Sequence, residues 1–223
     1  MASYSLRSHP LRLIRFPLVL LATGDLALLA LRLRPWNEIV NLPGQGTTGY
    51  DPVICLISYI VLLYWMGGNR DEKIQQALLR ALLPGVLAAA LAIGFVYVSL
   101  NATQTPQSLY IQIGLLAGAA LFWGVAGMIG SKIATSPNIG IAAGVWSAMV
   151  SAVFAVAVVL ARIDLNNPLP ESADPWKQYQ GLAIGNQVIQ SLVHCLNMAT
   201  GFLLLSPVVG GVLGLVFAML AQD

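Results

Sequence analysis

The chain has 223 residues, 57% of them hydrophobic and 9% charged, with a mean hydropathy of +0.77. Soluble domains carry about 25% charged residues, so the polar surface of a cytosolic enzyme, and the charge of a disordered tail, are both missing. The 11 basic and 9 acidic residues leave a net charge of +2, too weak a field for a nucleic-acid partner. What fits is an all-α polytopic membrane protein, a single transmembrane domain over 1–223.

A hydrocarbon core about 30 Å thick takes about 20 helical residues. The first predicted span covers 16–33 and follows Arg7, His9, Arg12 and Arg15. That start resembles the basic region of a signal peptide, but Asp25 interrupts the apolar run and no cleavage site follows. An uncleaved span with a cytoplasmic N-terminus is expected. After a loop containing Pro43-Gly44, the second span, 51–67, opens on Asp51-Pro52. The carboxylate can accept from the first free amides, and proline has no amide hydrogen to satisfy. Gly67-Gly68 stops the helix, with Tyr64 and Trp65 at headgroup level.

Residues 70–82 form an amphipathic helix. Asn69 and Glu72 have capping-box spacing, and Ile74, Ala77, Leu78, Ala81 and Leu82 recur opposite Arg70, Lys73, Gln75, Gln76 and Arg80. Two placements fit: in the cytoplasmic interface against anionic headgroups, or as a solvated extension of the third span. The third span covers 83–100, the fourth 109–129 and the fifth 139–163. The last covers 201–221, with a kink expected at Ser206-Pro207. A second amphipathic helix, 180–198, is polar for a span yet apolar enough to enter the bilayer. The chain therefore has six spans, or seven if that helix crosses. Arg7, Arg12, Arg15, Arg70, Lys73, Arg80 and Lys132 fall on the proposed cytoplasmic side, against Arg32, Arg34, Arg162 and Lys177 outside. This bias supports the N-in orientation. Usage rich in Ala, Leu and Gly and poor in Lys points to a bacterium, hence to its inner membrane.

Chemistry-bearing patterns are sparse. Gly44-Gln45-Gly46-Thr47-Thr48-Gly49 matches G-x-G-x-x-G but lies between apolar helices instead of in a βαβ unit, so it is read as a turn. No nucleophile elbow, zinc-protease motif or P-loop occurs, and Cys55 and Cys195 belong to no ligand cluster. No enzymatic activity, metal or cofactor is expected. Small residues are the strongest positive signal. Gly114 and Gly118, Gly140 and Gly144, and Gly210 and Gly214 each form G-x-x-x-G, the spacing that lets membrane helices approach backbone to backbone.

Two polar features remain. Asp25 lies about 15 Å into its helix, near the midplane, where an unpaired charge costs several kcal/mol. It should be protonated, paired or facing a wet cavity. Asn186, Gln190, His194 and Asn197 recur at helical spacing. They form a stripe that could line a path, titrate at His194, or face water from an interfacial helix. Three function classes stay open: an accessory subunit packing against partner helices in a hetero-complex or homo-oligomer, a small-solute or ion transporter using Asp25 and the stripe, and, third, an intramembrane enzyme.

Overall fold

The computed structural model describes residues 10–33, 50–68, 71–101, 105–163 and 187–221, and among these there is no strand. The described residues form α1 (Pro10–Arg32), α2 (Tyr50–Gly67), α3 (Glu72–Asn101), α4 (Pro106–Ala134), α5 (Pro137–Arg162) and α6 (Gln187–Leu220). Each contains a stretch long and apolar enough to cross a membrane.

Local chemistry sets several of the boundaries. The Asp71 carboxylate accepts from the Lys73 amide at 2.8 Å and the Ile74 amide at 3.4 Å. It thus holds the first free donors of α3, the role expected two residues earlier of Asn69, which lies outside the described residues. At α4 the Ser108 amide donates to Thr105 Oγ1 (3.2 Å) and the Thr105 amide to Ser108 Oγ (3.0 Å), with Pro106 entering the first turn. The other end of α4 closes on Thr135, at φ 51° and ψ 35°, whose amide donates back to the Ser131 carbonyl. Pro137 starts α5 two residues later, so these two helices form a tight hairpin.

The described parts of both amphipathic segments are continuous with the span that follows them, which for 70–82 is the second of its two placements, an extension of the third span. Residues 72–82 and 83–100 form one helix, and so do 187–198 and 201–220. Neither Pro84 nor Pro207 ends its helix. With 34 residues, α6 is about 51 Å long at about 1.5 Å per residue, well beyond a hydrocarbon core of about 30 Å. Its first turns therefore project past one face of the apolar layer.

The centre of the bundle is α5. In its spanning window 78% of residues are buried, against 22–39% in the other helices. From Trp146 to Val153 every residue is buried, whichever way it points. A helix apolar on all sides belongs inside a bundle. Around it pack α3, α4 and α6, while α1 touches α5 along one side and carries α2 at the periphery. Neighbouring helices alternate in direction. Arg15 near the start of α1 lies against Gly67 at the end of α2, and Gly144 and Gly140 face Gly210 and Ala218 in reversed order. Arg162 Nη2 donates to Asn101 Oδ1, joining the matching ends of α3 and α5.

Candidate functional site

Asp25 is the buried acid of the described residues. Leu18, Ala22, Asp25 and Leu29 follow at intervals of four, three and four, and all four are buried. The helix packs on α2 and α5, and the carboxyl lies on the same buried face as these apolar side chains. Only 1% of Asp25 is exposed, and its Oδ2 is buried without a hydrogen-bond partner. No basic side chain pairs with it among the described residues, where there is also no group of three His, Cys, Asp or Glu able to hold a metal ion. A buried carboxyl in such a setting can gain or lose a proton.

The polar stripe takes a different position. Asn186 lies outside the described residues, as does the side chain of Gln190. His194 is half-buried and Asn197 exposed, while Leu192, Val193, Cys195, Leu196 and Ala199 supply the buried face of that part of α6. Packing partners also separate the two features. The acid-bearing helix α1 packs chiefly on α2 and α5, whereas α6 packs chiefly on α5 and α4. Asp25 and the described part of the stripe are therefore carried by helices that do not pack extensively on each other.

The G-x-x-x-G glycines divide into two kinds. A Cβ on Gly140 would come 2.6 Å from Ala218 Cβ and 2.8 Å from the Gly127 carbonyl oxygen. On Gly144 it would meet the backbone of Gly210 and Gly214, the latter's Cα at 2.9 Å, and on Gly214 the Gly140 carbonyl oxygen at 2.9 Å. Gly114, by contrast, has nothing within 4 Å, and Gly118 meets only the tip of Leu91, at 2.8 Å from Cδ1. The partners that α4 brings to the junction are Gly124, Gly127 and Gly130, which carry no G-x-x-x-G among themselves. Their spacing of three was visible in the sequence and is an equally good one-face signal.

Two buried polar contacts had no sequence signal at all. Tyr59 Oη donates to the Leu203 carbonyl at 2.9 Å, tying α2 to α6. Trp123 Nε1 donates to Ser151 Oγ at 3.0 Å, and Ser151 Oγ donates in turn to the Ala148 carbonyl at 2.8 Å. A groove of about 550 Å³ between α3, α4 and α6, walled by Phe95, Ile113, Ala117, Trp123 and Phe202, is almost wholly apolar. Phe95 and Phe202 meet edge to face within it, 5.7 Å between centroids.

Six apolar helices, one of them buried at the centre of the other five, define a multi-pass membrane protein. No protein-family model, curated protein or solved structure matches the chain.

Proposed function

We propose that this chain is a non-catalytic subunit of a membrane complex, built to pack against partner helices. The observation that carries the reading is the separation of Asp25 from the His194–Asn197 stripe. A transport route needs its polar groups on one continuous face, and the helices that carry them, α1 and α6, do not pack extensively on each other. The G-x-x-x-G pairs of α5 and α6 act inside the chain, closing the bundle over small residues. That leaves the outward apolar sides of α1 to α4 and α6 for lipid and for other membrane helices. Purification from native membranes in mild detergent should return a stoichiometric partner. Recovery as a lone monomer or homo-oligomer overturns the reading.

One observation favours a second reading, proton movement at Asp25: its buried, unpartnered Oδ2. Asp25→Asn keeps the shape and removes the titration. As a packing subunit, the well-folded variant retains cellular function and assembly. Loss of function in a correctly assembled Asp25→Asn variant selects proton movement instead.

The setting we propose is a bacterial inner membrane with the N-terminus in the cytoplasm. The basic bias of the segments around α1 and before α3 supports it. The two basic helix starts, at Arg15 and at Lys73, lie on the same side of the alternating bundle. On a background free of Cys55 and Cys195, a cysteine at exposed Gln76 should resist an impermeant thiol reagent applied from outside. One at position 170 should react. The reverse pattern inverts the topology.

A further inference from the structure

Arg15 opens the apolar part of α1 beside the end of α2, and its surroundings are unusual for a basic residue. Its guanidinium carbon lies 4.7 Å from the centroid of the Tyr64 ring and 5.2 Å from that of Phe16. Its stem runs over Gly67 so closely that a Cβ there would come 2.8 Å from Arg15 Cβ. Gly67-Gly68 thus does more than stop α2, because the missing side chains make room for the arginine. Arg15 Nε is buried and has no hydrogen-bond partner. Beside it opens a cavity of about 650 Å³ lined by Arg15, Ile60, Val61, Tyr64, Trp65 and Gly68.

A buried guanidinium N–H without an acceptor is costly, and among the described residues the cavity lining carries no carboxylate to neutralise the cation. The planar fork of an arginine matches two oxygens of a phosphate, which accept from its two terminal nitrogens. The rest of the cavity decides which phosphate. Ile60 and Val61 stand eight and seven residues before Gly68, which places them about 10–12 Å deeper along the helix. Tyr64 and Trp65, both exposed, lie between the two ends, at the height where aromatic side chains meet headgroups and ester groups. One cationic end, an aromatic collar and an apolar floor follow the profile of a glycerophospholipid. A free phosphate would use only the first of the three.

We propose that the α1–α2 cavity is a binding site for an anionic glycerophospholipid, with its phosphate on Arg15 and an acyl chain along Ile60 and Val61. A headgroup of net charge −1 balances the Arg15 cation, and among the described lining residues none pairs with a headgroup ammonium. The site is independent of whether the chain is a packing subunit or moves protons.

The test is titration of the full chain, purified in neutral detergent, with phosphatidylglycerol, phosphatidylcholine and inorganic phosphate. Native mass spectrometry and the thermal unfolding midpoint are the readouts. Phosphatidylglycerol is expected to bind and raise the midpoint, phosphatidylcholine to bind more weakly, and inorganic phosphate to do nothing at the same concentration. Arg15→Gln should weaken phosphatidylglycerol about tenfold or more, the scale of a lost charged hydrogen bond. Tyr64→Leu, which keeps the cation and removes its ring, should weaken it about threefold. Should Arg15→Gln fail to fold, Tyr64→Leu and the wild-type titration still decide. Equal binding of the two lipids, a full response to inorganic phosphate alone, or unchanged affinity in the folded variants would each overturn the site.

Discussion

Where α5 crosses α6, a Cβ on Gly210 would come 2.5 Å from Ala148 Cβ and 2.7 Å from the Gly144 carbonyl oxygen. Where α1 meets α2, the buried contacts are made by long side chains, Leu18 and Leu29 on one helix, Leu56 and Leu63 on the other. The first interface has no room for another atom. The second leaves a cavity beside Arg15 and seals an unpaired carboxyl at Asp25. In lipid, helices gain nothing hydrophobic by associating, so stability comes from the closeness of packing. The junction of α4, α5 and α6 is accordingly the tightest part of the bundle, and α1 carries the two ionisable groups with a buried, unpartnered atom, Arg15 and Asp25.

The sharpest way to break this contrast is to add one carbon at a time. Gly144→Ala drives a methyl into the Gly210–Gly214 backbone and should cost about 3 kcal/mol, the upper end for overpacking. Gly118→Ala meets a leucine tip that can rotate away and should cost about 1 kcal/mol. Gly114→Ala meets nothing and should gain up to about 1 kcal/mol from helix propensity. Unfolding midpoints in detergent, with folded yield, rank the three. Equal effects would mean that the junction is no tighter than the surface of α4.

Helix α1 responds with the opposite sign. Asp25→Leu removes a sealed, unpartnered carboxyl and should stabilise the protein by about 1–3 kcal/mol. A destabilised variant would show that the acid is bonded in the folded protein. A smaller effect reads the link between the two regions. Tyr59→Phe deletes the hydrogen bond to the Leu203 carbonyl and should cost about 1 kcal/mol, with faster amide exchange in α2 than in α5.

The smallest effects test the junction's own polar groups. Ser147 and Ser151 lie one turn apart on α5, both fully buried, but Ser147 Oγ has no partner whereas Ser151 Oγ accepts from Trp123. Ser151→Ala should cost about 0.6 kcal/mol, the average for interhelical hydrogen bonds in membranes. Ser147→Ala should be neutral or slightly stabilising. A shared sign in the two unfolding curves would contradict the assigned bonding.

Much of the architecture is legible in particular residues. The apolar runs mark six spans, with a seventh left open at 180–198, because a helix satisfies its own amides in lipid. Asp51-Pro52 and Gly67-Gly68 bracket α2 to within a residue. The candidate site was legible only in part. Asp25 stands out in any apolar run, but its lack of a partner depends on which face of α1 turns inward and on what α2 and α5 offer there. The boundary between 72–82 and 83–100 was misleading for a similar reason. Amphipathic and apolar segments share one helical period, and the sequence has no break between them to separate a lying helix from a crossing one.

By itself, then, the sequence determined the class of protein, the number and rough extent of the membrane-length helices, and the presence of backbone-close packing. Each of these follows from one helix at a time, through length, composition and spacing. Only the tertiary structure decided that Gly124, Gly127 and Gly130 meet α5 and α6 while Gly114 faces open space, that Trp123 finds Ser151, and that Arg15 lies between Tyr64 and Phe16. Such contacts depend on the rotation and offset of two helices together, and a periodic pattern on either one is compatible with many of them.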